Sequence, residues 1–151
     1  MSRVEKAKNY FIEGYACSQA VALAFSDLLG MDEDLIAKAT LPFGGGLGRL
    51  RLTCGALSGM AFVVGILYAK AENSHENKLN TYAIVQELSA KFKAEYGSLL
   101  CGELLESMKL PVQVGGEAEQ RTQEYYKKRS CADIVGSVAK ILEEYVSTHS
   151  I

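Results

Sequence analysis

Apolar side chains recur at three- and four-residue intervals along most of the chain, and no stretch alternates convincingly with period two. The pattern predicts helices and no sheet. A first helix is expected from just after Ser2 to near Gly14, turning Val4, Ala7, Tyr10 and Phe11 inward. Cys17 opens a second over 18–29, where Val21, Leu23, Phe25, Leu28 and Leu29 supply apolar mass until Gly30 stops it. A short helix with an acidic start covers 32–40, and Pro42 ends it. Residues 54–69 carry no charge and are rich in Gly, Ala and Ser. They read as a central helix buried on all sides by its neighbours, with Thr53 as N-cap and Cys54 first inside.

After the polar turn Asn73-Ser74-His75, a helix over 78–96 sets Ile84, Val85, Leu88 and Phe92 in one stripe, and Gly97 ends it. Ser98 is placed to cap a short helix with Cys101 in its first turn and Leu104, Leu105 and Met108 on its inner face. Residues 111–116 form a loop and 117–128 a mostly polar helix at the surface. Ser130 then caps a last helix at Cys131, whose positions Ile134, Val135, Val138, Ile141, Leu142 and Tyr145 give the clearest amphipathic pattern. The expected fold is all-α, a compact bundle of about six or seven helices around the buried Gly/Ala-rich one. At 151 residues, 1–151 is read as a single four-cysteine domain.

Charge narrows the partners. The formal net charge is −2 with both signs scattered, so there is no electrostatic footprint for nucleic acid. The uncharged run 54–69 is shorter than the roughly 20 residues a membrane span needs. The N-terminus turns polar where a signal peptide would be apolar, which gives a cytoplasmic expectation. A homodimer is compatible with these features.

Four glycines fall within 44–48, and four cysteines stand alone at 17, 54, 101 and 131, without a CxxC pair. Each cysteine falls at or just inside a predicted helix start. There the unpaired N–H groups and the helix dipole favour thiolate and any anion it holds. In a reducing compartment such thiols suit metal or redox chemistry better than permanent staples. Meeting in space, Cys17, Cys54, Cys101 and Cys131 would form one four-sulfur site. The N–H groups of Gly44, Gly45, Gly46 and Gly48 would line it, Arg49 and Arg51 would add positive charge, and small Gly55, Ser58 and Gly59 would permit close approach. A single buried cysteine, by contrast, is ordinarily just a small hydrophobe.

The run Phe43-Gly44-Gly45-Gly46-Leu47-Gly48, then Cys54-Gly55-Ala56-Leu57-Ser58-Gly59, with Cys17-Ser18-Gln19-Ala20, Cys101 and Cys131, resembles the redox-active family named for its pattern C–GCAxxG–C–C. The resemblance covers essentially the whole chain. It extends to the cysteine-bearing domain of split-Soret cytochromes, where an iron–sulfur cluster is the implied ligand. This chain has no CxxCH, so haem is not implied. Arg51 stands where glycine is common in the family.

Three chemistries suit the cysteines. An all-cysteine iron–sulfur site, [2Fe–2S] in the first instance, would carry single electrons to and from a redox partner protein. Thiol–disulfide exchange would relay electron pairs or sense redox state. A structural zinc caged by four thiolates ranks lower, because zinc ligands usually come in close pairs. From another class, the chain could be a helical adaptor, with Tyr125 and Tyr126 marking a contact surface. His75 and His149 read as surface residues, the glycine loop matches neither GxGxxG nor a Walker lysine motif, and no acid–base pair points to a catalytic residue acting on an organic substrate.

Overall fold

The computed structural model describes residues 1–128 and 131–151. Among these the chain forms nine α-helices: α1 (Arg3–Ile12), α2 (Cys17–Leu23), α3 (Ser26–Leu29), α4 (Glu33–Thr40), α5 (Gly55–Tyr68), α6 (His75–Tyr96), α7 (Cys101–Ser107), α8 (Gln123–Lys128) and α9 (Cys131–Thr148). The fold is an all-α compact bundle, with an isolated antiparallel bridge between Thr53 and Leu100.

Local chemistry explains the helix ends. Ser2 and Glu5 form a reciprocal capping box at α1, Asp32 caps α4 through the Asp34 N–H, and Ser74 caps α6 through the Asn77 N–H. Gly30 and Gly97 stop α3 and α6 in left-handed conformation. The most extensive pairings are α1 along α9 and α2 along α5, with α6 and α9 closing on α5. Phe11, Phe25, Met60, Leu88, Phe92 and Leu142 are fully buried between them. A Cβ at Gly59 would collide with the Ser18 carbonyl, so Gly59 lets α2 and α5 touch backbone to backbone.

Several expected boundaries shift. The helix read over 18–29 is two, broken at Ala24 and Phe25. Phe25 leaves helical geometry (φ −111°, ψ 11°), and the Ala24 carbonyl accepts the Arg3 guanidinium at 2.9 Å. Cys54, not Thr53, is the N-cap of α5, because Thr53 is extended in the bridge to Leu100. That helix is also not enclosed on all sides: Ile66 is 43% exposed. α6 begins at His75 rather than 78. Ser98 does not cap α7; its hydroxyl accepts the Leu100 N–H and donates to Glu103, while Leu100 is the cap residue. Residues 117–122 are not helical, since α8 starts only at Gln123. The cap expected at Ser130 lies outside the described residues. Tyr125 packs tilted and Tyr126 edge-on against Phe11 of their own chain.

Candidate functional site

All four cysteines lie at helix starts. Cys17, Cys101 and Cys131 are the first residues of α2, α7 and α9, and Cys54 caps α5. The bridge sets two of them side by side: the Cys54 N–H donates to the Leu99 carbonyl at 2.8 Å, and the Cys101 N–H to the Leu52 carbonyl at 2.6 Å. Cys17 and Cys131 are hydrogen-bond partners through their side chains. Together the four line one cavity of about 320 Å³, with Leu104, Leu105 and Ile134 as apolar wall.

The glycine loop forms another wall. Gly45, Gly46, Leu47, Gly48 and Arg49 take φ between 53° and 74° in unbroken succession, and Arg51 follows at 61°. Five consecutive residues thus wind left-handed, which costs an L-residue roughly 1–2 kcal/mol each. Gly46 has no alternative: a Cβ there would lie 2.7 Å from the Cys101 Cβ and from the Leu52 nitrogen. The loop spends most of its N–H groups on itself. Gly48 donates to Pro42, Arg49 to Gly44, Arg51 to Gly45 and Leu52 to Gly46, at 2.7–3.1 Å. This network does not use the N–H groups of Gly45 and Gly46. Of the glycines anticipated around the sulfurs, Gly44, Gly45, Gly46, Gly48 and Gly55 line the cavity; Gly59 does not, being taken up by the contact with Ser18.

Three arginines surround the sulfurs. Arg49 donates to the Gly115 carbonyl at 2.7 Å and pairs with Glu119 at 3.6 Å. Arg51 donates from Nε to the Gln113 carbonyl at 2.9 Å and from Nη1 to Cys101 Sγ at 3.6 Å. Arg121 reaches the Phe11 and Tyr15 carbonyls at 3.3 Å and lies over the Phe11 and Tyr125 rings. These contacts fasten 113–121 as a strap beside the cavity. Nothing in the sequence singles out Arg121 or Glu119, because both fall in a run that reads as a polar surface helix.

Helix starts do not make every thiol acidic here. Burial pushes the Cys54 thiol up to about 12, outweighing the Ala56 and Leu57 N–H groups that favour its thiolate. The hydrogen bond that the Cys17 thiol donates to Cys131, then burial, raise Cys17 well above the ordinary range, and Arg121 only partly opposes them. Cys17 and Cys54 are therefore protonated at neutral pH, and a ligand needing thiolates must displace those protons as it binds.

An all-helical bundle that gathers four helix-start cysteines around one cavity defines the class. Over residues 15–145 the chain matches the family described as "Putative redox-active protein (C_GCAxxG_C_C)", and it belongs to that family. No curated protein and no solved structure matches it. As the side chains stand, no group of three or more His, Cys, Asp or Glu among the described residues converges closely enough to hold a metal ion. The lining combines four thiols, apolar walls and arginine side chains. No described helix is long and apolar enough to cross a membrane.

Proposed function

We propose that Cys17, Cys54, Cys101 and Cys131 together hold one iron–sulfur cluster and that the protein passes single electrons between partner proteins. The observation that carries this reading is that four cysteines far apart in sequence line the same cavity. When bound, such a cluster supplies a one-electron couple. The chain supplies the rest: four sulfur donors, leucine and isoleucine walls that limit water, and arginines that offset negative charge. A single zinc would require all four sulfurs about 2.3 Å from one point, and no three donors among the described residues converge that closely.

Protein purified or reconstituted without oxygen is expected to be brown, to contain iron and acid-labile sulfide, and to bleach with dithionite. The iron-to-chain ratio separates [2Fe–2S] from larger clusters. Cys54→Ser should lose the chromophore while the helical circular dichroism stays. Colourless protein without iron, or with zinc that reduction leaves unchanged, rejects the proposal.

One observation favours a second reading. Cys17 and Cys131 are hydrogen-bond partners, so they are the pair best placed to pass two electrons and two protons to a partner protein's disulfide, reducing it to two thiols as their own disulfide forms. A metal-free thiol count that rises by two on reduction, and no longer does so in Cys17→Ser, would select it.

A further inference from the structure

We infer that Arg51 sets the electron affinity of the four-cysteine site by hydrogen bonding the Cys101 sulfur, an inference that rests on the cluster reading above. Among the described residues, Arg51 is the arginine that aims an N–H at a cysteine sulfur, with Nη1 3.6 Å from Cys101 Sγ. Arg49 directs its guanidinium to Gly115 and Glu119, and Arg121 directs its own to two carbonyls and two rings.

The placement of Arg51 is fixed from several sides. Its N–H donates to the Gly45 carbonyl at 3.1 Å, its carbonyl accepts the Gly102 N–H at 3.2 Å, and its Nε holds the Gln113 carbonyl at 2.9 Å. Its backbone sits at φ 61°, a conformation that costs a non-glycine residue roughly 1–3 kcal/mol and persists only where the surroundings dictate it. Glycine would satisfy that backbone without strain. The arginine side chain thus occupies a position for which the fold alone would prefer none.

A charged N–H donor on a ligating sulfur stabilises whichever state carries more negative charge, which is the reduced one. Arg51 is therefore a positioning residue for charge, acting through Cys101. The strap shares its guanidinium, so the same side chain ties 113–121 to the sulfur.

The test compares the wild type with R51G and R51K after anaerobic loading with iron and sulfide. R51G should load as much iron per chain as the wild type, and its cofactor-free form should melt at the same or a higher temperature. Poised at the wild-type midpoint, R51G should show a ratio of reduced to oxidised protein about tenfold lower, equivalent to about 59 mV for one electron. R51K, which keeps the charge without the fork, should shift less. A fully loaded R51G with an unmoved midpoint overturns the inference and leaves the cluster reading intact. So does an R51G whose cofactor-free form melts lower and loads poorly, since that marks a structural role. A wild type that takes up neither iron nor sulfide overturns both.

Discussion

The side of the molecule built from α1, α6 and α9 and the side built from residues 41–54, Leu100 and the 113–121 strap are held together by opposite means. On the first, regular helices with sequence-local caps bury Phe11, Leu88, Phe92 and Leu142 completely. On the second, Leu41, Leu47, Leu50, Leu52 and Leu100 are 42–56% exposed, and order comes from loop hydrogen bonds, arginines and left-handed torsions. Burial stabilises one side. The other spends stability on holding a backbone shape around four sulfurs. Strain concentrated beside a thiol-lined cavity is what a site requiring fixed geometry would show.

The largest effects should come from breaking each side by its own mechanism. Phe92→Ala removes a fully buried ring stacked on Tyr96 and should cost about 3–5 kcal/mol in urea unfolding. Any folded fraction should still load iron, because Phe92 does not line the cavity. Gly46→Ala adds one methyl group and should cost about 2–4 kcal/mol through its torsion and its collision with Cys101. Unlike Phe92→Ala, it should abolish loading even where helix content survives. If both variants lose stability and loading in step, the two sides are one cooperative unit and the contrast fails.

That contrast also decides what could be read from the residues alone. Ser2, Glu5, Gly30 and Gly97, and the stripe from Ile134 to Tyr145, act within one or two turns of themselves, so α1, α9 and the ends of α3 and α6 were legible. The glycine run announced unusual torsions, and all four cysteines do start helices, although the expected caps Thr53 and Ser98 are not the residues that cap α5 and α7. What escaped depends on distant partners. Arg3 takes the Ala24 carbonyl and marks the break after α2. Leu100 draws Thr53 into a bridge and passes the cap to Cys54. Glu119 and Arg121 reach toward Arg49, Phe11 and Tyr15 instead of continuing a helix. Thiol protonation escaped for the same reason, since burial and neighbouring sulfurs exist only after folding.

A smaller effect follows from those protons. The folded Cys54 thiol titrates at about 12 against an ordinary 9.0, and Cys17 is shifted in the same direction. Below pH about 9 both states keep the proton, so this contribution to stability is fully present. Above it the unfolded chain releases a proton that the fold retains. Stability of the reduced, cofactor-free protein should then fall with pH, by at most about 1.4 kcal/mol per unit for each such thiol. Urea unfolding at several pH values between about 8 and 11 measures the slope, and Cys54→Ala should flatten it. An equal slope in that variant would show that Cys54 is not held protonated by burial.

The smallest effect has the opposite sign. Leu47 is 43% exposed, does not line the cavity, and holds φ 70°. Replacing it with glycine removes roughly 1–2 kcal/mol of left-handed strain and adds roughly 0.5–1 kcal/mol of unfolded-chain entropy. The balance is a gain of about 0.5 kcal/mol, measurable as a higher urea midpoint with unchanged slope. No substitution of a buried apolar residue in α1, α6 or α9 offers such a gain, because those residues already occupy relaxed torsions and filled space. Should Leu47→Gly destabilise instead, its half-exposed side chain contributes more by packing than its backbone loses by strain, and the loop would be held by burial as the opposite side is.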